Sequence, residues 1–66
     1  MNKLVTLSFE QALHRFTNRM IERSTGSEAE TREHARQEAG YYDDIGWLRT
    51  EPEACADDAM SYWGEG

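Results

Sequence analysis

The amino-acid sequence predicts a small all-α domain of three helices, with a short fourth helix as an alternative, behind a short extended N-terminal arm. Three observations lead to this fold class. The chain has 66 residues, which is too few for two domains of ordinary size. A Ser or Thr followed three residues later by Glu or Gln, a helix-capping pattern, opens each predicted helix. Apolar residues then recur at helical spacing.

The arm covers residues 1–7 and is β-prone, so we expect an extended segment or an edge strand that pairs with another chain. Ser8 and Gln11 form the capping pattern for a first helix over residues 9–24, and Gly26 is placed to end it. The apolar residues that follow Ser8 lie on one helix face. That stripe consists of Phe9, Ala12, Leu13, Phe16 and Met20.

The second predicted helix, over residues 28–42, opens at Ser27 and has only alanines as apolar residues before Gly40. It is expected either to project into solvent or to pack closely through those alanines. Tyr41, Tyr42 and Ile45 then continue the helix inward, or residues 43–49 form the short fourth helix. The third helix is predicted over residues 52–63, with Thr50 as its N-cap and proline in its first turn.

Charge is distributed unevenly along a chain of net charge −6. Residues 1–25 hold four basic and two acidic side chains, whereas residues 26–66 hold three basic and eleven acidic ones. Arg15, Arg19 and Arg23 follow one another at four-residue spacing and form a basic ridge on the first helix. The ridge is either a solvated face or a docking surface for acids, such as the acidic half of a second copy.

The acidic half of the chain carries paired carboxylates and five of the seven aromatic residues. Closely spaced surface acids resemble nucleic-acid phosphates in charge and can occupy a basic groove. The alternative is that they only keep the surface soluble. Trp47 and Tyr62 are the candidate aromatic anchors. The candidate electrostatic contacts are Asp43, Asp44, Glu51, Glu53, Asp57 and Asp58.

Several function classes are not expected from this sequence. We expect no enzyme activity, cofactor or metal site, because no ligand spacing, phosphate loop or catalytic triad is present. The longest apolar runs are too short to span a membrane, and the acidic balance argues against direct nucleic-acid binding. Cys55 is the single cysteine, expected to be buried with a raised thiol pKa beside acids. No signal peptide is recognisable, so a cytoplasmic location is expected.

In its length and in the acidic stretch from Glu28 to Glu65, the chain resembles the small acidic inhibitors that phages encode, of which the anti-CRISPR proteins are the best-known group. The resemblance implies a stoichiometric inhibitor in the host bacterial cytoplasm that blocks a nucleic-acid-binding groove, such as that of a type I CRISPR surveillance complex. The alternative is a small helical structural or regulatory subunit, an antitoxin-like neutraliser or assembly accessory, that forms a homodimer through its first helix.

Overall fold

The computed structural model describes residues 6–62, and these form three helices: α1 (Phe9–Arg23), α2 (Glu28–Asp44) and α3 (Pro52–Ser61). The all-α fold class is thereby confirmed, since none of the described residues forms a strand. Residues 1–5 of the predicted arm and residue 63 of the predicted third helix lie outside the described residues. The backbone N–H of Leu7 donates to the carbonyl of Arg49 at 2.9 Å, which holds the start of α1 against the α2–α3 connection.

Helix α1 begins as predicted, with Ser8 as its N-cap. The Ser8 hydroxyl accepts a hydrogen bond from the backbone N–H of Gln11, and the Gln11 side chain accepts one from the Ser8 N–H, both at 3.1 Å. These reciprocal bonds satisfy N–H groups that a helix N-terminus otherwise leaves unpaired. The helix ends at Arg23 with Ser24 in an extended conformation, so Gly26 is not the residue that ends it.

Helix α2 begins after Ser27, whose hydroxyl accepts from the backbone N–H of Glu30 at 3.3 Å. It runs two residues further than predicted and ends at Asp44. Gly46 then adopts φ +80°, a left-handed conformation that favours glycine. The chain folds back so that the N–H groups of Trp47 and Leu48 both donate to the carbonyl of Tyr42. The alternative of a fourth helix over residues 43–49 is therefore wrong.

Helix α3 begins at Pro52, in a first-turn position where the missing N–H has no intrahelical role. The predicted cap at Thr50 is wrong. Glu51 is the N-cap and makes no side-chain capping bond. The hydroxyl of Thr50 instead donates to the carbonyl of Trp47 at 3.0 Å, because the tight turn after α2 brings that carbonyl within reach.

The core lies where α2 and α3 both pack against α1. Helix α2 contributes Ala35, Ala39 and Tyr42 to it, so it packs through alanines from Ala35 onward, whereas Ala29 in its first turn is exposed. Small side chains let the helix backbones approach closely and leave Phe16 and Met20 with no exposed surface. The buried apolar residues are Ala12, Phe16, Met20, Ala35, Ala39, Tyr42, Leu48, Cys55, Ala56 and Ala59.

Candidate functional site

The basic ridge of α1 faces acids of α3 in the same chain. Arg15 donates two hydrogen bonds to Glu53, at 2.8 and 3.0 Å. Arg19 donates two to Asp57, at 2.9 and 3.1 Å, and Arg23 donates a third to Asp57 at 2.8 Å. The four-residue spacing on α1 matches the four-residue spacing on α3, so the charges meet in register. We call these five residues the ionic clamp.

Titration of the ionic clamp follows from these contacts. Hydrogen bonds from Arg19 and Arg23 lower the pKa of Asp57 from 3.8 to about 2, against the opposing effect of burial. The hydrogen bond from Arg15 likewise lowers the pKa of Glu53. Both carboxylates are therefore charged at neutral pH and are occupied by arginines. The hydrogen bonds to α3 offset the like-charge repulsion along α1, and Glu22 adds a smaller favourable interaction with Arg19.

Asp58 points to the other side of α3 and is bonded to the core. The hydroxyl of Tyr42 donates to Asp58 at 2.8 Å, and only 3% of Tyr42 is exposed. Burial and the hydrogen bond to Asp58 raise the pKa of Tyr42, with further contributions from Glu38 and Tyr62. Tyr62 follows Asp58 by one turn, at the C-terminal end of α3. Asp58 thus joins α2 to α3 through the hydrogen bond from Tyr42.

Three more predicted contact residues, Asp43, Glu51 and Trp47, have intramolecular partners in the α2–α3 connection. Arg49 donates to Asp43 at 2.8 Å. The indole N–H of Trp47 donates to Glu51 at 2.8 Å, and the Trp47 ring lies 5.7 Å from that of Tyr42. Trp47 is thus half-buried and packs against the core. Of the six predicted acids, Asp44 is the one that makes no hydrogen bond or ion pair within residues 6–62.

Tyr62 is the predicted anchor that the structure leaves most open, with 77% of its surface exposed. Two further large apolar side chains are exposed, Tyr41 at 60% and Ile45 at 55%. They lie on the outer face of α2, with Glu38 one turn before Tyr41 and Asp44 one turn after it. We call this set the acidic–aromatic surface. It consists of Glu38, Tyr41, Asp44, Ile45 and Tyr62.

One alternative from the sequence placed Tyr41 and Ile45 on the inward face of the helix, and the sequence did not identify Glu38 as a candidate contact residue. The signal that places them outward is the spacing of Ala35, Ala39 and Tyr42, at i, i+4 and i+7, which defines the buried face of α2. Tyr41 lies a quarter-turn or more from each of these residues. The adjacent tyrosines consequently separate, and the ring of Tyr41 contacts the edge of Tyr42 at 5.0 Å while remaining exposed.

Reactive chemistry finds little support among the described residues. Cys55 is buried, and burial together with Asp58 and Glu51 raises its thiol pKa to about 11. The predicted burial of Cys55 is confirmed, and the raised pKa disfavours the thiolate, which is the reactive form. Across residues 6–62, no three side chains of His, Cys, Asp or Glu are grouped to hold a metal ion. No helix in that range is long and apolar enough to cross a bilayer.

The stripe that the homodimer alternative requires is already used within the chain. Phe16 and Met20 are fully buried under α2 and α3, and Phe9 and Leu13 pack partly against the same core. A second copy could reach Phe16 only after α2 or α3 had left α1. The acidic–aromatic surface, in contrast, is accessible without any rearrangement.

Comparison with protein families, with curated proteins and with solved structures gives no match for this chain.

Proposed function

We propose that this protein acts by stoichiometric binding rather than catalysis, and that its acidic–aromatic surface occupies a basic groove on a nucleic-acid-handling protein. The observation that carries the proposal is the coincidence of two features on the outer face of α2. Tyr41 and Ile45 are exposed apolar side chains, and Asp44, one turn from Tyr41, makes no ion pair within residues 6–62. Exposed aromatic residues ringed by polar groups are typical of binding hot spots.

The ionic clamp reduces the number of acids that a partner can contact. Glu53 and Asp57 are neutralised by α1 arginines, so the net negative charge of the chain is expressed mainly along α2. Glu30 and Glu33 extend the same exposed side of α2 towards its N-terminus. A basic partner approaching α2 would meet this field first, which favours fast and salt-sensitive association.

The resemblance to phage inhibitors of the anti-CRISPR kind supplies the first partners to test. A type I surveillance complex has a basic groove that holds target DNA, and an acidic protein in the cytoplasm could compete for it. The proposal requires that binding be competitive with the nucleic acid and stoichiometric. It assigns no bond-making or bond-breaking step to any residue of this chain.

The test is capture of partners from a bacterial lysate on the immobilised protein, followed by elution with salt and, separately, with added nucleic acid. We expect a nucleic-acid-binding complex that both treatments release. The double variant Glu38→Lys/Asp44→Lys should abolish this capture because it reverses charge beside Tyr41.

The matched control is Glu30→Lys/Glu33→Lys, which makes the same change in net charge on the same helix, away from the exposed apolar residues. We expect it to weaken capture only modestly. Equal loss with both double variants would show that net charge alone governs binding and would remove the case for a defined contact surface. Capture that resists salt and nucleic acid would contradict the proposal.

A further inference from the structure

Two exposed tyrosine rings beside free carboxylates distinguish this surface from a simple row of acids. Tyr41 is 60% exposed and Tyr62 is 77% exposed. Tyr41 contacts the ring of Tyr42, and Tyr62 follows by one helical turn Asp58, the residue that accepts the hydrogen bond from the Tyr42 hydroxyl. Glu38 and Asp44 are each one helical turn from Tyr41, a separation of about 5–6 Å between Cβ atoms. Planar rings and negative charges therefore alternate over a short distance.

Single-stranded and duplex nucleic acids present different chemistry to a protein. In a duplex the bases are stacked inside. A protein that imitates a duplex therefore needs chiefly regularly spaced negative charges to fit a duplex-binding groove. In a single strand the bases are splayed out and stack on aromatic side chains, while the phosphates contact Lys and Arg. A groove for single strands therefore combines positive charge with aromatic platforms.

The acids that repeat at regular spacing along α3 are not available for contact with a partner. Glu53 and Asp57 repeat at four-residue spacing along α3, as duplex mimicry would favour, but both are bound by arginines of α1. Among the acids of α2 without an ion pair in residues 6–62, half-buried Glu38 and exposed Asp44 flank the exposed ring of Tyr41. This division of charge between α3 and α2 disfavours a duplex-like surface and favours a single-strand-like one.

We propose that the acidic–aromatic surface docks on a groove built for single-stranded nucleic acid, with Tyr41 and Tyr62 stacking on the groove's aromatic side chains where bases would lie. Glu38 and Asp44 then contact the basic residues that would hold phosphates. This inference rests on the proposed function and specifies its partner: a basic, aromatic-lined groove rather than a basic groove in general.

The experiment compares two synthetic peptides of equal length and charge, one alternating Lys with Trp and the other alternating Lys with Ala. Affinity is measured by calorimetry at low ionic strength, and the contact surface is mapped by amide chemical shifts. Stacking on aromatic side chains predicts that the Lys–Trp peptide binds at least about fivefold more tightly. The shifts should concentrate at residues 38–45 and at Tyr62.

Variants of the two tyrosines separate stacking from general apolar contact. Tyr41→Phe and Tyr62→Phe should keep the preference for the Lys–Trp peptide, whereas Tyr41→Leu and Tyr62→Leu should remove most of it. Both positions are exposed, so far-UV circular dichroism should show an unchanged fold.

The other possible results of the peptide experiment contradict either the stacking inference or the proposed function. Equal affinity for the two peptides, or equal behaviour of the Leu and Phe variants, overturns the stacking inference while leaving an acidic binding surface intact. Chemical shifts confined to the ionic clamp overturn it as well. Failure of both peptides to bind at low ionic strength contradicts the proposed function itself.

Discussion

Helices α2 and α3 are both acidic, yet their carboxylates have different surroundings. On α3, Glu53 and Asp57 accept five hydrogen bonds from three arginines of α1. On the outer face of α2, Asp44 has no such partner among residues 6–62 and lies beside exposed Ile45. The comparison teaches that the number of acids in a segment does not determine its surface charge. The arginines within reach determine it.

The largest effect is expected from removing the core that both regions share. Phe16 is fully buried between α1 and its two neighbours, and Phe16→Ala should cost about 3–5 kcal/mol in free energy of unfolding. A single core of this size supplies about 3–5 kcal/mol in total, so the variant should be largely unfolded. Thermal unfolding followed by circular dichroism measures this.

Phe16→Leu is the control for that variant, since it keeps most of the buried volume and should remain folded with a lowered Tm. A cooperatively folded Phe16→Ala protein would contradict the assignment of Phe16 to the core that α2 and α3 share. It would also mean that the two acidic regions do not depend on that core for their structure.

The second effect distinguishes the two acidic regions directly. Asp57→Asn removes a charge held by two arginines, and it should cost about 1 kcal/mol because the ion pairs are partly exposed to solvent. For a domain of this size that lowers Tm by about 4–8 °C. The same substitution at unpaired Asp44 should change stability by less than about 0.5 kcal/mol. Equal effects at the two positions would mean that the ionic clamp contributes nothing specific.

The third effect is a pH dependence of stability in the acid range, which arises at Asp57 of α3. The pKa of Asp57 is lowered from 3.8 to about 2 in the folded protein. As pH falls, Asp57 is therefore protonated at a higher pH in the unfolded chain than in the folded protein. The stabilisation is complete above pH of about 4 and is lost as pH falls towards about 2. The stability difference between the wild type and Asp57→Asn should therefore shrink over that interval, as denaturant titrations at several pH values would show. A difference that stays constant to the lowest pH would contradict the assigned pKa.

The smallest effect on stability is expected on the acidic–aromatic surface, where the effect on binding should be large. Glu38→Gln/Asp44→Asn should alter the free energy of unfolding by less than about 0.5 kcal/mol and should weaken binding of Lys-rich peptides. Chemical denaturation and calorimetry measure the two quantities separately. Destabilisation without loss of binding would assign Glu38 and Asp44 a structural role and remove the contrast with α3.

Local sequence signals predicted the elements well where the interaction is local. The Ser8 and Gln11 bonds join residues three apart, so the start of α1 follows from the sequence directly. Thr50 has the same kind of signal and failed, because the carbonyl of Trp47 competes for its hydroxyl. That carbonyl is brought into place by the turn after α2, which the capping pattern does not describe.

The sequence by itself determined the helical fold class, the burial of Cys55 and the presence of a basic ridge on α1, because these depend on helical periodicity and residue type. Tertiary structure decided which charges remain free. Arg19 and Asp57 are 38 residues apart in the chain and bond only because α3 packs on α1 in register. The same packing, through alanines of α2, turns Tyr42 inward and leaves Tyr41 exposed, since adjacent helix positions point about 100° apart.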